Sequence, residues 1–164
     1  MTVSPYIAVL AAALVIPTAG AQQSQLVTGM DLVTAQRIVA ALDGQIRDVV
    51  STPTELDIVA IDPTGLIFTI EGRVCENSKC AGVEFIVSYD LDAPPDYKLM
   101  NECAQNTVAA RFSIFDNGLY IQRYEILDHG QHFNNLVLSL EVTLDIGEAA
   151  ADCYFGDDYD DWGW

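Results

Sequence analysis

Val108–Leu127 reads VAARFSIFDNGLYIQRYEIL, two runs rich in β-branched and aromatic residues joined at Asp116-Asn117-Gly118. Asn-Gly between apolar alternations is the strongest short-range hairpin signal, because a two-residue turn needs positive φ at both central positions. Val108–Phe115 and Leu119–Leu127 are therefore expected as paired strands. Upstream, Leu56–Ile61 and Leu66–Glu71 flank Asp62-Pro63-Thr64-Gly65, whose composition suits a turn. Val83–Tyr89 supplies another strand. It follows the polar stretch Glu76-Asn77-Ser78-Lys79, which reads as a turn between Cys75 and Cys80. The residues between Gly44 and Leu56 read as a polar connector carrying Pro53.

Three other stretches place apolar side chains at helical spacing. Met30–Leu42 has Leu32, Ala35, Ile38, Val39 and Leu42 on one stripe, with Thr28 as the expected N-cap, Asp31 three residues on, and Gly44 at the stop. Pro94-Pro95-Asp96 opens a second helix through Tyr97, Met100, Cys103 and Ala104. A third follows Asp128-His129-Gly130, with Phe133, Leu136, Val137, Leu140 and Leu144 as its stripe. Val142, Thr143 and Ile146 are poor helix formers, so tertiary packing must hold that segment. The order is α-β-β-β-α-β-β-α. Strands this close in sequence pair as hairpins, so the expected fold class is α+β, a largely antiparallel five-stranded sheet with three helices.

The ends of the chain bear on compartment. An apolar run Ile7–Ile16 precedes Pro17 and Ala19-Gly20-Ala21, small residues of the kind a signal peptidase accepts. The run is too short for a bilayer, which needs about twenty apolar residues. Residues 1–21 read as a cleaved secretory leader, although Met1–Tyr6 carries no Lys or Arg. Residues 22–156 have the length of a single domain. Residues 157–164, DDYDDWGW, have little to bury and read as a mobile acidic-aromatic tail. The expected location is periplasmic or secreted, with no stable membrane insertion after cleavage. The net charge is −17, and the seven basic residues stand singly along the sequence. That balance repels nucleic acid and anionic lipid surfaces, and suits solvation or a cationic partner.

Four cysteines in an exported chain point to disulfides, with three pairings open. A Cys75–Cys80 bridge would close a short loop and leave Cys103 with Cys153 to close a long one. Chain entropy assigns these ~2 and ~4 kcal/mol respectively. A zinc site of Cys75, Cys80, His129 and His132 competes poorly, since zinc pairs usually have two residues between the cysteines and export favours oxidation. The histidines read instead as loop and helix-start residues. There is no Gly-x-Ser-x-Gly, His-Glu-x-x-His or phosphate loop. Asp62, Glu71, Asp90 and Glu125 are placed at turns or strand ends, where solvation is the default. No catalytic residue, metal or cofactor is expected. The tail acids Asp157, Asp158, Asp160 and Asp161 lack the glycine and glutamate of a calcium loop. Tyr159, Trp162 and Trp164 suit docking into a groove with a basic rim, against a solvated tail as the plainer reading.

These stretches together resemble the YbjN-like domain family of bacteria, most closely its exported alphaproteobacterial members. The resemblance rests on Gly72-Arg73-Val74-Cys75 to Cys80 with the strand after it, on Met100-Asn101-Glu102, and on Ala110-Arg111-Phe112. The acidic-glycine hairpin followed by an apolar helix completes it, over about residues 30 to 146. The family often carries Asn-x-Trp-Asn where this chain has Asn101-Glu102-Cys103-Ala104. The cysteine in the aromatic position fits recruitment of Cys103 to hold the C-terminal extension through Cys153. The resemblance implies an α+β fold similar to that of type III secretion chaperones, and no catalytic residues. The expected function is an exported, non-enzymatic adaptor or chaperone-like protein-binding module. Its exposed sheet face or an edge strand would take an extended segment of a protein partner, framed by the second and third helices. Candidate contacts are Asn101, Arg111, Trp162 and Trp164, although helix-cap and strand-edge roles are plainer for the first two. The alternative is a structural or stress-related envelope protein without a defined partner segment, and then a small hydrolase or metal-binding protein. A homo-oligomer is compatible with each.

Overall fold

Two tight turns organise the sheet. In the computed structural model, which describes residues 25–105 and 107–156, Asn77 and Ser78 have φ of 52° and 64°, and Asp116 and Asn117 have 44° and 64°. Positive φ at both central residues matches the right-handed twist of the flanking strands. The second turn is thus Asp116-Asn117, and Gly118 is already the first residue of the returning strand. A Cβ at Gly118 would lie 2.8 Å from the Tyr120 ring, so the glycine makes room for that ring. The leader read at 1–21 and the tail read at 157–164 lie outside the described residues.

The elements in order are β1 (Leu26–Val27), α1 (Leu32–Ala41), β2 (Gln45–Thr52), β3 (Glu55–Ile61), β4 (Ile67–Glu76), β5 (Lys79–Asp90), α2 (Tyr97–Gln105), β6 (Arg111–Phe115), β7 (Gly118–Ile126), β8 (Gln131–His132) and α3 (Phe133–Phe155). The main sheet has six antiparallel strands in the order β2-β3-β4-β5-β7-β6, and β1 pairs with β8 beside it. The α+β expectation holds, with six strands in place of five. The added strand is β2, in the stretch read as a connector. Its sequence QIRDVVST does not alternate, and all eight residues are exposed because it is an edge strand with a bulge between Ile46 and Asp48. Period-two patterning needs one buried face, and β2 has none.

Helix boundaries move for local reasons. Asp31, in place of Thr28, caps α1, accepting from the Thr34 amide at 2.8 Å. Met30 pairs instead with Cys80, with backbone bonds of 2.8 Å in both directions. The Asp96 carboxylate accepts from the Lys98 and Leu99 amides and so caps the start of α2 after the two prolines. The third helix runs on past Ile146 to Phe155, with Gly147, Ala150 and Ala151 buried. Small residues let it close on the sheet: a Cβ at Gly147 would stand 2.9 Å from Val87.

The core lies between the helices and one sheet face. Leu56, Ile58, Phe68, Ile70, Phe85, Val87 and Ile121 alternate along β3, β4, β5 and β7 and meet Ile38, Val39, Leu136 and Leu140. Both expected disulfides are present. Cys75–Cys80 crosses the β4–β5 hairpin, and Cys103–Cys153 ties α2 to the last turn of α3.

Candidate functional site

The strands that bury Ile58, Ile70 and Phe85 on one side must turn the intervening residues to the other. Register makes that second face specific. Asp57 pairs with Glu71, and Glu71 pairs with Glu84, so three carboxylates stand in one row across β3, β4 and β5. Tyr124 of β7 continues the row opposite Glu84. Its ring lies over Gly82, where a Cβ would be 2.2 Å from the phenol oxygen. The helices contribute nothing to the core on this side.

Two guanidiniums serve the row. Arg73 pairs with both Glu71 and Glu84, and its Nε donates to Glu84 Oε2 at 2.9 Å. Arg111 Nη2 donates to Glu84 Oε1 at 3.3 Å and to Gln122 Oε1 at 2.9 Å. Glu84 is buried, with a relative exposure of 6%. Its two oxygens are thus shared by arginines from opposite sides, which gives the buried carboxylate a charged donor at each oxygen.

Asp57 is less well served. It has no ion pair among the described residues, and its Oδ1 is buried without a hydrogen-bond partner. Burial raises the Asp57 carboxyl above its ordinary value, the like charges of Glu55 and Asp48 add to this, and Arg73 opposes it. Glu71 is raised as well, by burial first; Arg73 opposes, while Asp57, Glu84 and Glu55 add. The row is therefore compensated at its Glu84 end and strained electrostatically at its Asp57 end, next to β2.

The expected contact residues fall unevenly on this map. Arg111 belongs to the site, as a strand residue held by Glu84 and Gln122. Asn101 is exposed on α2, apart from the row's ion pairs. Trp162 and Trp164 lie outside the described residues. Glu71 and Glu125, read as turn or strand-end acids, sit within β4 and β7 and are partnered; Glu125 accepts from Arg123 Nε at 2.8 Å and from Ser139 Oγ at 2.7 Å. Asp57 and Glu84 were missed altogether. The available signal was a charge in mid-strand, Glu84 between Val83 and Phe85, and Asp57 between Leu56 and Ile58.

The stretch Gly72-Arg73-Val74-Cys75 acquires a physical reading here. Arg73 serves the carboxylate row. Val74 has φ of 55°, which a β-branched residue rarely adopts. That breaks the alternation and turns Cys75 toward the covered side, where the disulfide lies over Gly72. A Cβ at Gly72 would be 2.4 Å from Cys80 Sγ, so only glycine fits. With all four cysteines paired, the thiolate zinc site has lost its sulfur ligands. Among the described residues no group of three or more His, Cys, Asp or Glu is placed to hold a metal ion. No helix among them is long and apolar enough to cross a membrane.

No protein-family model matches the chain, and no curated protein matches it significantly. The fold is similar to that in the crystal structure of YbjN from E. coli, a candidate transcription regulator. The likeness has a TM-score of 0.47 and 14% sequence identity, and covers 77% of this chain and 96% of that one.

Proposed function

We propose that this chain is an exported, non-enzymatic protein-binding module of adaptor or chaperone-like kind, whose sheet takes an extended segment of another protein. One observation carries the reading: among the described residues the apolar core packs against one face of the six-stranded sheet, and the sheet ends in an edge strand exposed along its whole length. Such an edge presents a row of backbone donors and acceptors that an added strand can complete, with side-chain selection coming from the adjoining face.

Site-specific crosslinking tests this. Benzoylphenylalanine placed at Val50 on β2 is compared with the same group at Leu138, an exposed residue of α3. Irradiation in the native envelope should give a discrete protein adduct from position 50 and none from position 138. Equal or absent adducts from both, with the protein folded and oxidised, would instead support a structural envelope role.

A further inference from the structure

We infer that the β2 edge takes an extended segment whose lysine or arginine seats against Asp57, at the uncompensated end of the carboxylate row. This rests on the binding-module reading and names the chemistry of its partner.

Backbone comes first. Among the described residues β2 pairs with β3 alone, and beyond the bulge its register runs unbroken from Asp48 to Thr52. Val49 and Val50 are both exposed there. By that register Asp48, Val50 and Thr52 share the open face with Glu55 and Asp57, and Val50 stands directly beside Asp57. An added strand would lie two strand spacings from β3, about 10 Å. A long basic side chain bridges that distance by laying its methylene stem across Val50 and presenting its charge to the carboxylate.

Charge then selects the occupant. Glu84 already holds two guanidiniums, whereas Asp57 holds none and carries an oxygen without a hydrogen-bond partner. Glu55 and Asp48 add negative charge at the same end. A cation delivered there relieves an existing repulsion as well as making a new contact. Arg47, the extra residue of the bulge, forms no ion pair among the described residues and leaves the demand unmet. The β6 edge has no such vacancy in the row, since Glu84, two strands in from it, is already held by Arg111. A second copy of this chain is disfavoured at β2, because each copy carries −17 and would set Asp48 and Glu55 against their own kind.

The test uses three short peptides of alternating threonine and valine, with lysine, norleucine or glutamate at one central position. Each is titrated into the oxidised protein while amide shifts are followed by NMR. The lysine peptide should shift β2 amides and bind about tenfold tighter than the norleucine peptide, with glutamate weakest. Asp57→Asn should erase the lysine advantage, and Asp145→Asn, on the exposed side of α3, should keep it. Should Asp57→Asn fold poorly, the lysine advantage in the unaltered protein should still shrink severalfold with added salt. Equal binding of lysine and norleucine peptides at β2 would overturn the inference and leave the binding module standing. Shifts at β2 from no peptide, or a dimer whose β2 contact shuts the peptides out, would also overturn it. The crosslink from Val50 then decides separately whether the module reading survives.

Discussion

The two faces of the main sheet are written by the same strands, one residue out of phase, and they solve opposite problems. The covered face holds Ile58, Ile70, Phe85, Val87 and Ile121, each without measurable exposure. The open face holds Asp57, Glu71 and Glu84 with Arg73 and Arg111. Burial of an apolar side chain is favourable in any orientation, so the apolar part of the covered face needs no exact direction, and its polar residues toward the end of β7, Arg123 and Glu125, are paired with each other and with Ser139. Burial of a charge is favourable only with partners in place, so the open face depends on register and leaves a shortfall visible at Asp57. One face is thus made for stability, and the other keeps an unmet demand at Asp57.

That contrast can be broken at several points. The largest effect should come from the covered face: Phe85→Ala should cost about 3–5 kcal/mol in denaturant unfolding, a loss from removed contact and residual cavity. A cost below about 1 kcal/mol would mean that the helices do not pack there. The helix layer is next. Replacing Cys103 and Cys153 together by serine should cost ~4 kcal/mol by loop entropy, and the fully reduced protein, which also loses Cys75–Cys80, should melt lower than the variant. Unchanged melting would show the bridge to be dispensable for the layer.

Val74 is where a strand exchanges one face for the other, so it offers a change of opposite sign. Val74→Gly should stabilise the protein by up to about 1 kcal/mol, because glycine takes positive φ without the steric penalty. A loss of stability would place Val74 in ordinary strand geometry.

The smallest effect belongs to the open face and is read against pH. The folded state holds protons on Asp57 and Glu71 at pH values where the unfolded chain has released them, since both carboxyls are raised from ordinary values of 3.8 and 4.5. Stability should therefore decline as the pH rises from those ordinary values through the raised ones, with the cost fully present above. Asp57→Asn should flatten that decline and lift the neutral-pH melting temperature slightly. A steeper decline, or a lower melting temperature at neutral pH, would show Asp57 to be stabilised in the folded protein.

How far residues announced this arrangement depends on whether their signal was local. The Asp116-Asn117-Gly118 hairpin, the Asp62 turn and the three helical stripes were legible because turn chemistry and periodicity act over a few residues. In the Asp62 turn the carboxylate accepts from the amides of Thr64, Gly65 and Leu66, and proline and glycine alone were enough to place it. The disulfide pairing was legible from position. β2 was not, since an edge strand exposed on both faces has no pattern to show. The last turns of α3 were hidden because Gly147, Ala150 and Ala151 serve close approach and leave no large apolar stripe. The carboxylate row was least visible of all. Asp57, Glu71 and Glu84 become neighbours only through two registers, and no spacing along the chain encodes that.

Amide hydrogen exchange, with and without the lysine-bearing strand peptide, tests the central claim most directly. In the free protein β2 amides should exchange far faster than those of β3, β4 and β5, and the peptide should slow exchange along Asp48–Thr52 while leaving α2, α3 and β6 unchanged. Protection that appears on the helices or on β6, with β2 still exchanging freely, would contradict the account.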